Sequence, residues 1–167
     1  MSRDLNKATP FMRDFLLRLQ ADVKRIIGIN IIAIQVDRTA QYHLALYAQG
    51  REPLEKVNRL RKIAGVAPIS AAENLHKVTW TLCSDHITDL NDNNPNNNLS
   101  RAIDIGIIGP DGKYQGSDKA DVNKDNKPDY IQIGAIAKTI RPDIVWGGDY
   151  VKTKDFPHYA QPKGIWV

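Results

Sequence analysis

The sequence predicts an α+β fold, in which helices pack on a small antiparallel sheet. Three observations lead to this prediction. Apolar residues recur at helical spacing in segment 10–27, short β-branched or apolar runs follow, and helices and strands do not alternate as in a parallel doubly wound sheet. At 167 residues the chain has the length of one domain, so a single domain over residues 1–167 with polar loop insertions is expected.

The first helix has clear boundaries in the sequence. Thr9 is a suitable N-cap, Pro10 suits the first helical position, and Gly28 can end the helix. Together with the apolar spacing between them, these residues predict a helix over residues 10–27. Similar patterns predict strands at 29–36, 78–83, 102–108 and 144–146, helices at 37–50 and 130–140, and a mixture of loop and short helix at 51–75.

Three metal-capable side chains lie next to the later strands. His86 follows the predicted strand 78–83, Asp104 lies inside the strand 102–108, and His158 comes near the end of the chain. An Asn- and Asp-rich insertion at 89–98 separates the first two, and it is too polar to belong to a core. Two imidazoles and one carboxylate can form a catalytic zinc site with an open position. Asp89 or Asp92 could replace Asp104 as the carboxylate ligand, but only Asp104 lies in an apolar strand.

Composition and charge restrict the classes of function. The chain is 42% hydrophobic and 25% charged, with a net charge of +4, and residues 1–62 hold twelve Lys or Arg against six Asp or Glu. This basic half could face an anionic polymer such as a cell wall, or could simply be solvated. A nucleic-acid partner is not expected, because basic and aromatic residues are not interleaved.

The same sequence gives expectations about compartment and reactivity. The N-terminus has no apolar signal segment, and nowhere do 18 apolar residues run together, so we expect synthesis in the cytoplasm and no insertion into a membrane. The single cysteine, Cys83, excludes an intramolecular disulfide. It could be a nucleophile, but a small buried residue is the expected role.

The order of the motifs resembles a known family. The S-D-H run at 84–86 followed by A-I-D at 102–104 is similar to the S-x-H and A-x-D signature of zinc D-Ala-D-Ala carboxypeptidases and dipeptidases. The runs W-G-G-D-Y at 146–150 and D-F-P-H at 155–158 resemble, more closely, the phage L-alanyl-D-glutamate peptidases, which are endolysins. Arg38, Gln41 and the Y-A-Q-G-R run at 47–51 resemble the helix that leads into the site of that group. In most relatives the His and Asp lie closer together, and the insertion accounts for the difference.

This resemblance implies roles for individual residues. His86, Asp104 and His158 would bind zinc, and Asp155, three residues before His158, would be the general base. Arg38 would stabilise the oxyanion that forms on the attacked amide. From the residues alone, Asp155 could also be a solvated carboxylate and Arg38 a surface cation.

Four further residues are candidates for contact with substrate: Ser84, Gln41, Trp146 and Asp149. Ser84 could equally shape its loop, and Trp146 could equally belong to the core, since aromatic residues more often do.

A second polar insertion has the spacing of a calcium loop. Asp121, Asn123, Asp125 and Asp129 occupy relative positions 1, 3, 5 and 9 of an EF-hand type loop, and Lys127 occupies position 7, where such loops use the backbone carbonyl. Asn stands at position 6 instead of Gly, and Gln at position 12 instead of Glu, which would weaken binding. A plain acidic loop is the alternative. Bound calcium could order the rim of the active site.

The leading hypothesis is a zinc peptidase of peptidoglycan stem peptides. It would be a monomeric phage endolysin that cuts the L-alanyl-D-glutamate bond and acts at the bacterial wall after release from the host cytoplasm. Its cofactor would be Zn²⁺, with Ca²⁺ as a second cofactor if the loop at 121–129 binds it. A D-Ala-D-Ala carboxypeptidase or dipeptidase and a non-catalytic wall-binding module are the alternatives. The retained Asp155 argues against the module, because a structural zinc needs no base.

Overall fold

The computed structural model describes residues 2–88 and 98–164, which form two compact units. The first unit combines Met1–Asp37 with Ser100–Val167, and the second is Arg38–Leu99. Residues 89–97 of the Asn-rich insertion, including Asp89 and Asp92, lie outside the described residues. The single domain over residues 1–167 stays a prediction.

The first unit contains a five-stranded antiparallel sheet. Its strands are β1 (Asn30–Gln35), β2 (Ala102–Ile108), β3 (Tyr114–Gln115), β4 (Val145–Trp146) and β5 (His158–Ala160), in the order β1-β2-β5-β4 with β3 also paired to β2. β2 is the longest strand and pairs with β1, β3 and β5, so it is the strand on which the sheet is built. The predicted strands at 29–36, 102–108 and 144–146 are confirmed.

Two helices pack in this first unit. Helix α1 (Pro10–Ile27) has the predicted boundaries: Thr9 Oγ1 accepts the Met12 N–H at 3.3 Å, and Gly28 ends the helix at φ 75°. Helix α4 (Asp129–Ile140) packs against α1, and α1 also packs against β1. The core between these elements is apolar, and its largest fully buried side chains include Met12, Leu16, Leu19, Ile103, Ile105, Ile107, Tyr130, Ile133 and Tyr159. The α+β class with a small antiparallel sheet is therefore confirmed.

The second unit contains helices α2 (Ala40–Ala48) and α3 (Leu54–Ile63), which pack against each other. Asn74, in the segment after α3, forms two hydrogen bonds with the turn between α2 and α3. Its Oδ1 accepts the Gly50 N–H, and its Nδ2 donates to the Glu52 carbonyl. Gly50 has a φ of 73°, and a Cβ there would overlap the backbone of Lys77. The turn therefore requires glycine, which explains the end of the predicted helix 37–50.

The predicted strand at 78–83 is wrong. Within the described residues this segment has no strand partner, and side chains bind its carbonyl groups instead: Arg51 donates to Thr79 O at 2.9 Å, and His43 pairs with Thr81 O at 2.8 Å. Its apolar side chains do not enter a core, since Leu82 is 54% exposed. Cys83 is exposed as well, so its expected burial is also wrong. No helix among residues 2–88 and 98–164 combines the length and the apolar character that a membrane crossing needs.

Candidate metal centre

Asp104 and His158 form a cross-strand pair in the first unit. They lie directly opposite each other on β2 and β5, and His158 Nδ1 is 2.9 Å from Asp104 Oδ1. Side chains alternate along a strand, so Ile103 and Ile105 turn into the core and Asp104 turns to the other face of the sheet. The two side chains are only 12% (His158) and 17% (Asp104) exposed. The sheet therefore holds a carboxylate and an imidazole side by side in a largely water-free place.

His86 lies in a short turn and is 2% exposed. The Ile87 N–H donates to Ser84 O at 3.1 Å, and the Ser84 Oγ accepts the His86 N–H at 3.4 Å. The His86 carbonyl accepts the Arg38 N–H at 3.0 Å, and Arg38 pairs with Ile87 as an isolated parallel bridge. Backbone pairing thus fixes the turn, and Ser84 shapes it, as one of its two predicted roles requires.

His86, Asp104 and His158 can hold one metal ion. Each offers one ligand atom, and these atoms all lie within 4.8 Å of one another. Ligand bonds to zinc are about 2.0–2.2 Å, so donors that share an ion lie within roughly 4 Å of each other. Two imidazole nitrogens and a carboxylate oxygen also form the three-ligand set of a catalytic zinc site, and the residues therefore fit the predicted ion in number, type and proximity.

Arg38 has a partner that the sequence did not reveal. His43 on α2 is 2% exposed, and its Nδ1 is 3.3 Å from Arg38 Nη1. Because Thr81 O can only accept, His43 Nε2 must carry the proton of their 2.8 Å hydrogen bond, which leaves Nδ1 free to accept from Arg38. Burial lowers the pKa of His43, and the nearby Arg38 and His86 lower it further against the opposing effect of the Thr81 carbonyl. His43 is thus a neutral side chain that supports Arg38. The only sign of this contact in the sequence was that His43 lies five residues after Arg38, in a segment with helical spacing.

Asp155 precedes His158 in a tight turn. The His158 N–H donates to Asp155 O at 3.1 Å, and the Asp155 N–H donates to Gly147 O at 3.0 Å. A Cβ on Gly147 would overlap the Asp155 carbonyl oxygen, so the turn can dock only against glycine. The Asp155 side chain is exposed. The W-G-G-D run therefore has a physical role, because it supports the turn that carries Asp155 and His158.

The other candidate substrate residues lie in different settings. Trp146 is 7% exposed in the core of the first unit, and its Nε1 donates to Phe156 O at 2.9 Å. Asp149 forms an exposed ion pair of 2.6 Å with Lys138, and Gln41 is exposed on α2. The arrangement gives Trp146 a packing role. Contact with substrate stays a prediction for all of them and for Ser84.

The candidate calcium residues lie together in the loop before α4. Asp121 accepts the N–H groups of Asp125 and Asn126, and Asn123 also accepts from Asp125 N. The Lys127 N–H donates to Asp125 Oδ1. The loop therefore turns its acidic side chains inward.

Comparisons with known proteins agree with this geometry. No family model matches the chain. The peptidoglycan L-alanyl-D-glutamate endopeptidase CwlK of Bacillus subtilis (strain 168) is 29% identical over 94 residues, which are 56% of this chain and 55% of that protein, so the match spans about half of the curated relative. The crystal structure of the Serratia marcescens L-Ala D-Glu endopeptidase ChiX matches with a TM-score of 0.50 at 15% identity, over 93% of this chain and 81% of that one, and shows a common fold. The chain is thus similar in sequence, over about half its length, to one L-alanyl-D-glutamate endopeptidase and in fold, over most of its length, to another, which agrees with the resemblance that its motifs predicted.

Proposed function

We propose that the protein is a zinc-dependent peptidase that hydrolyses the L-alanyl-D-glutamate bond of peptidoglycan stem peptides. The proposal rests above all on the proximity of His86, Asp104 and His158. Both relatives carry the name of an L-Ala-D-Glu endopeptidase, which supports the bond that we assign.

Zn²⁺ would be held by three ligands, His86, Asp104 and His158. Zinc in such a site polarises the amide carbonyl and makes a water molecule acidic enough to attack near neutral pH. The carboxylate of Asp104 and the low exposure of all three side chains favour a cation there, because a buried negative charge is costly without one.

Asp155 and Arg38 would carry out the proton transfer and the charge stabilisation. Asp155 would accept the proton from the attacking water and deliver it to the leaving amine. Arg38 would donate hydrogen bonds to the carbonyl oxygen as negative charge develops on it. His43 keeps the guanidinium in place, since it is buried and accepts from Arg38 Nη1. His43 is therefore a positioning residue.

The biological setting is part of the proposal. We infer that the enzyme is a phage endolysin, synthesised in the host cytoplasm, that acts at the cell wall during lysis as a monomer. Its net charge of +4 would favour approach to an anionic wall. Lysis of washed cells by added enzyme, weakened by rising salt, would support this setting, whereas salt-independent lysis would argue against a role for charge.

Purified muropeptides and metal analysis test the chemistry. The enzyme should contain about one zinc per chain and should release L-alanine-terminated products detectable by mass spectrometry. Asp155→Ala should keep the zinc and lower kcat about 10²–10⁴-fold, because only proton transfer is lost. Asp111→Asn, in an exposed turn, is the matched control and should change nothing. Full activity of Asp155→Ala would disprove its role, and loss of a terminal D-alanine instead would indicate the carboxypeptidase.

A further inference from the structure

The loop between β3 and α4 brings three carboxylates into one short segment. Asp121, Asp125 and Asp129 lie within nine residues, and no Lys or Arg of the described chain comes within ion-pair distance of them. Their neighbours Lys124 and Lys127 are exposed. Like charges at such separations repel, and within the described residues no ion pair offsets this repulsion.

Asp129 is the most unusual of the three. The residue is fully buried at 0% exposure, and its Oδ2 accepts the Val122 N–H at 2.7 Å, which directs the carboxylate into the loop. Its Oδ1 is buried too and has no hydrogen-bond partner among residues 2–88 and 98–164. An unpartnered buried carboxylate oxygen is costly, typically about 1–3 kcal/mol or more when charged. A ligand that binds this oxygen would remove the cost.

The electrostatics of Asp129 agree with this geometry. Burial raises the pKa of its carboxyl, and the charges of Asp121 and Asp125 raise it further, against the lowering effect of the Val122 N–H. Both neighbouring carboxylates are therefore close enough to act on Asp129.

We propose that this loop is a calcium-binding site, formed by the side-chain oxygens of Asp121, Asn123, Asp125 and Asp129 and the backbone carbonyl of Lys127. The side chains are already turned inward by the N–H groups of the loop. Asn126 has a φ of 65°, the left-handed conformation that an EF-hand type loop needs at its sixth position. Gln132, at the twelfth position, reaches Asp125 Oδ1 at 3.2 Å and closes the loop from helix α4.

Calcium suits this set of atoms better than other common cations. All the donors are oxygens, which excludes a preference for zinc. The loop supplies five donor groups, and a water molecule or the second oxygen of one carboxylate would bring the number to the six to eight that Ca²⁺ takes. Mg²⁺ requires a stricter octahedron and gives up its waters reluctantly. An amide at the twelfth position in place of a bidentate Glu would weaken the affinity.

Calcium bound at this site would stabilise the contacts between the loop and the core of the first unit. The Asp129 N–H donates to Ala120 O at 2.7 Å, and Ala120 and Val122 pack against the core. Asp129 is also the first residue of α4, which packs on α1. Bound calcium would therefore stabilise the folded state of this unit by mass action.

Thermal unfolding and calorimetry test the site. The zinc-containing protein, freed of calcium on a chelating resin with zinc restored, should bind one Ca²⁺ per chain. Calcium at about a hundredfold excess over Kd should raise Tm by about 5–10 °C, and the same concentration of MgCl₂ should raise it much less. Asp121→Asn and Asp129→Asn should both lose binding and the Tm shift, and Asp111→Asn should keep both. An unchanged Tm in calcium, or an equal shift in magnesium, would overturn the proposal.

This site does not depend on the proposed peptidase activity. The His158→Ala variant should still show the full rise of Tm in calcium. An unchanged rise in this variant would show that calcium binding at the loop is independent of the proposed zinc peptidase site. Asp129→Asn places an amide against Val122 and is expected to fold, because Asn can still accept that N–H. If both Asn variants kept the calcium shift, calcium would bind elsewhere and the assignment of this loop would be wrong.

Discussion

The metal centre and the loop at 121–129 both concentrate carboxylate or imidazole groups, but they are built in opposite ways. His86, Asp104 and His158 are far apart in the chain, and a turn and two paired strands hold them. The loop residues are neighbours in sequence, and backbone N–H groups of the same loop orient them. A site of distant residues depends on the fold, whereas a local site carries its geometry in its own spacing. The two should therefore respond differently to mutation.

The largest expected effect is at the metal centre. His158→Ala removes one of three ligands, so zinc content should fall close to zero and muropeptide hydrolysis should be lost. The exposed histidine His76 provides the matched control, and His76→Ala should leave zinc and activity unchanged. Metal analysis and a muropeptide digest of both variants measure this. A His158→Ala protein with normal zinc would show that the distant residues do not form the site.

A smaller effect on activity is expected at His43, which contacts Arg38 and is not a metal ligand. His43→Ala removes the support of Arg38 and should lower kcat about tenfold to a hundredfold, since a misplaced catalytic group loses that much, while zinc content stays normal. His43→Gln should recover most of the activity, because an amide can donate to Thr81 O and accept from Arg38. Leu44→Ala changes the next, 46% exposed residue of α2 and should have no effect. Equal losses in His43→Gln and His43→Ala would exclude this positioning role.

The smallest effect is a pH dependence at the loop. Because the folded pKa of Asp129 is raised above its ordinary value of 3.8, the folded state holds this proton more tightly than the unfolded state does. In calcium-free buffer the stability contributed by the protonated carboxyl should be fully present below about pH 4 and lost as pH rises through the folded-state pKa. Its size is about 1.4 kcal/mol for each pH unit between the unfolded-state and the folded-state pKa of Asp129. Asp129→Asn should lack this component in urea unfolding at pH 4–7. Calcium should reverse the trend, because it binds the ionised carboxylate; the same pH slope in variant and wild type would contradict the assignment.

Much of the fold was predictable because the signals are local. Thr9, Pro10 and Gly28 set the ends of α1 correctly, and the β-branched run of β1 marked a buried strand. The prediction of a strand at 78–83 failed because these apolar residues have no neighbouring strand within the described part of the chain, and side chains of Arg51 and His43 bind the carbonyl groups of the segment instead. Whether an apolar run becomes a strand depends on a partner, which no local pattern contains.

The sequence by itself determined the identity of the candidate ligands, the spacing of oxygens in the loop, and the glycines that allow close turns. Only the tertiary structure decided that Asp104 and His158 face each other across two strands and that His43 supports Arg38. It also decided that Asp129 is buried with one oxygen that has no hydrogen-bond partner among the residues that the structure describes. The physical reason is that caps, turns and loop ligands act between residues a few positions apart. Burial and the pairing of distant strands instead depend on how the whole chain packs.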